Sequence, residues 1–311
     1  MASRTFAIIG TGAVGGYYGA RLAQAGFDVS FLVRSDLEHV RRHGLRVLSP
    51  EGDVVLPEVQ VYGDAAAMPR ADVVIVAIKA TANGALPAIL PHLVRPGGTV
   101  VVLQNGLGAE DAIAAAAHPA RVVGGLAFLC ATRIAPGTIR HVADRLIDLA
   151  PWTPDGAPAP PDPPLHQLAA DFEQAGIPVR LLDNLALARW RKLVWNIPFG
   201  GLCIALDADT RQIVDDPDAL AMVRAVMSEV VAAAAACGQS IDPGVPDDMI
   251  DATRALPAFQ PSLKVDFDAG AALELDALFG NPLRAAQRAG HPAPRIEQLH
   301  RQLQFLERSR R

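Results

Sequence analysis

Residues 6–34, FAIIGTGAVGGYYGARLAQAGFDVSFLVR, decide the fold. A short apolar run ends in a glycine turn, a helix-forming segment follows, and a second apolar run, FDVSFLV, closes at Arg34. Gly10, Gly12 and Gly15 keep the G-x-G-x-x-G spacing where the first strand meets the helix, with Ala13 and Val14 between the last two. That strand–turn–helix context is what gives the pattern physical content: the first glycine allows a tight turn, the second lets a pyrophosphate reach the backbone, and the third lets helix and strand pack closely. The amides and positive dipole end of the helix then face the phosphates. Arg34 stands where an enzyme of NAD usually has an acid for the ribose hydroxyls, and a guanidinium suits the 2′-phosphate of NADP.

The remainder of the chain sets the class. Its 311 residues are enough for two domains, and 50% hydrophobic against 20% charged residues can fill two cores. A net charge of -5 gives no basic surplus for nucleic acid. Cys130, Cys203 and Cys237 are widely spaced and lack metal-ligand spacing, which fits reduced thiols in a cytoplasm. The chain enters its first strand at once, without a signal-peptide pattern, and no unbroken apolar run reaches the roughly 18 residues of a membrane span. The terminal ERSRR reads as a solvated tail.

Short apolar runs alternate with helical segments in the first half, predicting an α/β, Rossmann-type doubly wound sheet over residues 1–183. HGLRVLSPEGDVVLPEVQVYG reads as a hairpin or paired short strands, ADVVIVAIK as a buried strand ending at Lys79, and LPAILPHLVRPGG as a short helix and its exit. TVVVLQNGLG reads as a strand closing in a turn at Asn105. Gly10, Arg34, Lys79 and Asn105 are thus expected at one rim, the carboxyl ends of the strands. Three further strands include an antiparallel pair turning near Asp144; the proline-rich PWTPDGAPAPPDPP is a loop, and LHQLAADFEQAG and IPVRLLD complete the domain. Alanine and leucine at helical spacing predict an all-helical second domain over 184–311, with Asn184 a plausible N-cap.

Lys192 and Asn196, four apart on one predicted helix, share a face. An ammonium there can stabilise and protonate an alkoxide formed by hydride delivery, and an amide can fix geometry. Taken alone, the pair more readily describes a solvated lysine beside a packing amide. In QPSLKVDFDAGAALELDALFGN, Ser262 is placed to cap a short helix that Gly270 closes, and Glu274 lies early in the next helix among apolar residues. A carboxylate there is costly to bury unpaired. It can orient a substrate hydroxyl or hold the lysine, while Ser262 can bind a substrate carboxylate; a plain cap and a helix-dipole partner account for the two equally well.

Together these motifs resemble the ketopantoate reductase (2-dehydropantoate 2-reductase) family along nearly the whole chain: GTGAVG, Arg34, Lys79 in VAIKA, Asn105 in QNGLG, WRKLVWN, and Ser262 followed twelve residues on by Glu274. The resemblance implies a Rossmann domain and a helical domain like that of 6-phosphogluconate dehydrogenase, with the active site in the cleft between them. It implies NADPH-dependent reduction of ketopantoate to pantoate for coenzyme A synthesis. Lys192 becomes the general acid and Glu274 its catalytic companion. Asn105, Asn196 and Ser262 become substrate contacts, with Glu274 also reaching the substrate. Gly10, Gly12, Ala13, Val14, Gly15, Arg34 and Lys79 become cofactor contacts, joined by Asn105 and Glu274. Partners are a small 2-keto acid and, in a homodimer, a second copy.

Gly200 departs from the pattern, standing where the family often has another substrate-contacting asparagine, with Pro198 interrupting the helix just before it. The loss of one neutral hydrogen bond, about 0.5–1.5 kcal/mol, alters substrate preference more than reaction class. Two other readings use the same motifs: a dehydrogenase of another 2-keto or an imino acid, and a non-catalytic NADP-binding sensor.

Overall fold

A computed structural model of the chain describes residues 4–310. Contacts divide the chain into two compact units, one comprising Met1–Gln104 and Ala109–Leu185, the other Asn105–Gly108 and Ala186–Arg311. The sequence-based boundary at 183/184 ignores the short segment Asn105–Gly108, which groups with the helices despite its place early in the chain.

The first unit carries β1 (Thr5–Ile9), α1 (Ala13–Gln24), β2 (Asp28–Leu32), α2 (Leu37–His43), β3 (Leu45–Leu48), β4 (Val54–Leu56), β5 (Gln60–Tyr62), β6 (Ala71–Val76), α3 (Leu86–Leu93), β7 (Val94–Val102), α4 (Ala109–Ala117), β8 (Arg121–Ala127), β9 (Cys130–Ala135), β10 (Thr138–Ala143), β11 (Ile147–Pro151), α5 (Pro163–Gln174) and β12 (Val179–Leu181). The main sheet has the order β5-β2-β1-β6-β7-β8-β11-β12. Its first six strands are mutually parallel; β11 runs antiparallel to β8, with β12 parallel to β11. The six parallel strands follow the 3-2-1-4-5-6 order of the dinucleotide-binding fold. The central strands are near-continuously apolar because both their faces are covered. Phe6, Ile8, Val73, Ile75 and Val101 enter one core, and their neighbours Ala7, Ile9, Val74, Val76 and Val100 enter the other.

Chain order reverses at β1, which has β2 on one side and β6 on the other. The glycine turn therefore opens at the topological switch point, where such sheets leave a crevice. Gly10, Arg34 and Lys79 lie just beyond the carboxyl ends of β1, β2 and β6.

Three local expectations are corrected. The antiparallel pair expected to turn near Asp144 does not form: β10 pairs with β9 through a turn at Pro136 and Gly137, β11 pairs with β8, and Asp144, at φ 56°, carries the chain from one sheet to the other. Alternation cannot show that successive strands belong to different sheets. The predicted hairpin is β3–β4, but it joins a separate four-stranded sheet, β4-β3-β10-β9, while β5 pairs with β2. The helix exit VRPGG is the start of β7, where Gly97, at φ 75°, accommodates an irregular register with β6.

The second unit contains α6 (Leu185–Ala205), α7 (Thr210–Asp215), α8 (Pro217–Ala236), α9 (Val245–Ala255), α10 (Ser262–Asp268), a π-turn (Asp276–Gly280), α11 (Asn281–Arg288) and α12 (Pro294–Ser309). Leu193, Ile197, Val223, Met227, Ile250, Phe279 and Ile296 meet in its core. By length and composition α8 is apolar enough to cross a membrane, yet Val223, Met227, Val230 and Ala233 of it are buried in this core. Its Glu229 is buried as well, accepting from the Ile296 amide at 2.8 Å. Pro198 does not break α6, which runs unbroken from Leu185 to Ala205: a proline removes one amide donor, and the surrounding core holds the turn. In ERSRR, Arg308, Ser309 and Arg310 are exposed as expected, but the segment closes α12 and is tied to the fold at two points. Glu307 accepts from the Leu273 amide and Arg310 donates to the Phe267 carbonyl; Arg311 lies outside the described residues.

Candidate active site

At the glycine turn, Gly10 has φ 96°, which a side chain would resist, and a Cβ there would lie 2.7 Å from Ile78. A Cβ on Gly15 would lie 2.0 Å from the Gly10 carbonyl oxygen. Gly12 is different: nothing lies within 4 Å of its Cβ position. Two glycines are thus required by the protein's own packing, whereas the middle one borders open space. Gly12 also caps α1 without any side-chain hydrogen bond, and the first turn contains no acid. The turn fits a pyrophosphate, with the amides of Ala13, Val14 and Gly15 at the helix start where an anion is favoured.

Arg34 is exposed just past β2. Asp36, two residues on, is buried and takes hydrogen bonds from Arg133 and Ser35. Burial alone raises its carboxyl, but these bonds outweigh it and hold the group below the usual carboxylate range. Its charge is thereby answered within the protein by Arg133. Lys79 is exposed beside Ile78, the residue that packs on Gly10. Gln104, which no sequence signal marked, donates to the Ile78 carbonyl at 2.8 Å and ties the ends of β6 and β7 together.

In the helical unit the lysine Nζ of α6 donates to Oδ1 of Asn105 at 2.9 Å. The sequence holds three lysines, Lys79, Lys192 and Lys264. Lys264 is buried and bound by Asp207 at 2.8 Å and Asp268 at 2.6 Å, so it serves the fold. Lys192 is half-buried, as is Asn196 one turn later. Gly200 continues the same face after another turn, and a Cβ there would touch only Leu263, at 3.6 Å. At Gly200, α6 thereby neighbours Leu263 of α10, the helix whose first residue is Ser262. Ser262 is exposed and does not cap α10: Pro261 holds that position in extended backbone, with no side-chain cap bond. Glu274 is 4% exposed and sits just ahead of the π-turn rather than within a helix; its carbonyl accepts from the Leu278 amide.

Asn105 is held by an unusual neighbour. Gly106 has φ 91° and approaches Ala277 of the π-turn so closely that a Cβ would lie 2.3 Å from the Ala277 carbonyl oxygen. The same carbonyl accepts from the Leu107 amide at 3.1 Å. QNGLG signals a tight turn, but nothing local in sequence signals its partner.

A dinucleotide turn at the switch point of a parallel sheet, together with a lysine held by an amide, defines a pyridine-nucleotide-dependent oxidoreductase. The chain belongs to the ketopantoate reductase family. Residues 6–154 match the family model Ketopantoate reductase PanE/ApbA, and residues 184–307 match Ketopantoate reductase PanE/ApbA C terminal. It is 43% identical over 307 residues to the 2-dehydropantoate 2-reductase of Nostoc sp., covering 99% of this chain and 96% of that one. Among solved structures, the 2-dehydropantoate 2-reductase from Geobacter metallireducens superposes with a TM-score of 0.92 at 39% identity, covering 97% of this chain and 99% of that one. That from Methylococcus capsulatus gives 0.87 at 34% identity, covering 98% and 97%.

Proposed function

We propose that this protein reduces 2-dehydropantoate (ketopantoate) to pantoate with NADPH. The observation that carries the reading is the 2.9 Å bond from Lys192 to Asn105, in a chain whose glycine turn is shaped for a dinucleotide. The bound cofactor supplies a hydride to the 2-keto carbon. Lys192 hydrogen-bonds the keto oxygen, stabilises the negative charge gathering on it and passes its Nζ proton to the alkoxide; water restores the ammonium. Asn105 accepts from the ammonium through a neutral amide oxygen, which directs the proton without competing for it. Asn196 and Ser262 contact the substrate's hydroxyl and carboxylate, and Glu274 orients the substrate hydroxyl or the lysine. Gly10, Gly12, Ala13, Val14, Gly15, Arg34 and Lys79 hold the cofactor, with Asn105 and Glu274 bordering it.

A homodimer is part of the proposal. Three free thiols support a reducing, cytoplasmic setting. The deciding experiment is a steady-state screen of NADPH and NADH against ketopantoate and its near relatives. NADPH oxidation with ketopantoate at the highest kcat/KM is expected. Preference for another 2-keto acid, or a requirement for an amine, replaces the substrate; tight NADPH binding with no turnover replaces the reaction by a sensor.

A further inference from the structure

We infer that Asn281 is a positioning residue for this reaction, holding the turn Asn105–Gly108 so that Asn105 meets Lys192. The inference rests on reading Lys192 as the acid. Asn281 begins α11, directly after the π-turn, and its Nδ2 donates to the Leu107 carbonyl at 2.6 Å. Leu107 is therefore gripped at both backbone groups, its carbonyl by Asn281 and its amide by the Ala277 carbonyl.

The grip matters because of what it holds. Gly106 and Gly108 have φ of 91° and 83°, so glycine freedom on both sides leaves Leu107 little intrinsic stiffness. Without an external bond, the turn samples other conformations and takes the Asn105 amide with it. Asn281 cannot simply rotate its amide, because Arg284 donates to its Oδ1 and is itself fixed by Asp276 at 2.8 Å. That order of bonds assigns oxygen to Arg284 and nitrogen to Leu107. The connection runs from Asp276 through Arg284, Asn281 and Leu107 to Asn105 and Lys192, all within the helical unit. A π-turn at its foot is in keeping with the frequent occurrence of such turns at functional sites. Small displacements of a group that aligns a proton donor cost rate more than binding.

The test uses the full chain and two readouts. With only three lysines present, limited labelling by an amine-reactive acetylating reagent at pH 8, read by peptide mass spectrometry, reports Lys192 with Lys79 and Lys264 as internal controls. Asn281→Ala is expected to speed labelling of Lys192 by about 10- to 100-fold, the worth of one hydrogen bond to a charged group, and to leave the controls unchanged. Asn105→Ala gives a similar rise, and adding Asn281→Ala to it gives none further. In turnover, Asn281→Ala lowers kcat by about 3- to 30-fold with NADPH Kd unchanged, and this loss too vanishes in the Asn105→Ala background. Unchanged Lys192 labelling, or equal losses in both backgrounds, overturns the inference. If alanine impairs folding, Asn281→Asp, which keeps the acceptor for Arg284 and replaces the donor to Leu107 by a carboxylate oxygen that cannot bond it, carries the same expectation. Should the wild-type protein turn over no 2-keto acid, the proposed reaction fails, while the labelling still decides whether Asn281 positions the pair.

Discussion

Lys192 Nζ and Asn105 Oδ1 stand 2.9 Å apart, joined across 87 positions of sequence. A carboxylate at this place would bind the ammonium more strongly but draw its proton. An amide oxygen holds the group in direction and leaves the proton deliverable.

Lys192→Ala should therefore lower kcat by about 100- to 10,000-fold while NADPH Kd, from fluorescence titration, stays within about threefold. Lys192→Arg should not rescue it, since a guanidinium keeps the charge but does not give up its proton. Near-normal turnover in either variant removes Lys192 as the acid.

The glycine turn separates two kinds of glycine. Gly15→Ala places a methyl 2.0 Å from the Gly10 carbonyl oxygen and should destabilise the protein by about 1–3 kcal/mol in urea unfolding. Gly12→Ala meets nothing within 4 Å and should unfold within about 0.5 kcal/mol of wild type, yet bind NADPH at least about tenfold more weakly. Full NADPH affinity in Gly12→Ala would show that the open space beside it is not where phosphates lie.

Arg34→Ala should raise the Kd for NADPH by about 10- to 100-fold, the value of a charge-assisted bond to phosphate, and leave NADH within about threefold. Equal losses for both cofactors would assign Arg34 a role in the fold of the loop instead.

Asp36 titrates below the ordinary carboxylate range because the bonds from Arg133 and Ser35 outweigh its burial. A depressed carboxylate contributes stability above its unfolded value, near pH 4, and that contribution disappears as pH falls through the lower folded value. Arg133→Met should cost about 1 kcal/mol at pH 7, a modest figure because Arg133 is half-exposed and screened. Urea unfolding at pH 7, 5 and 3 checks it: the gap to wild type should hold at pH 5 and narrow at pH 3. A gap constant throughout would trace the loss to packing.

Gly200→Asn has room for its Cβ, which would make only ordinary contact with Leu263. It should raise kcat/KM for ketopantoate about 2- to 13-fold relative to 2-keto acids without the hydroxyl, the worth of one neutral hydrogen bond. An unchanged ratio would mean that residue 200 does not reach the substrate.

Lys192 and Asn196 were legible as neighbours because helical period is a local property. The glycine turn was legible for the same reason, as spacing, strand and helix all lie within thirty or so residues. Ser262 was misread as a cap because choosing between it and Pro261 depends on backbone angles that composition does not set. The strand pair near Asp144 was misread because sheet membership depends on partners far along the chain.

By itself the sequence determined the dinucleotide turn, the alternation that builds a parallel sheet, the helical second half and the lysine face of α6, all of them expressed by residues close in the chain. Tertiary structure alone decided that Asn105 joins the helices, through the approach of Gly106 to Ala277, and that Asn281 grips its turn. These depend on which backbones approach within a few ångströms across a hundred or more residues, and no local pattern encodes that.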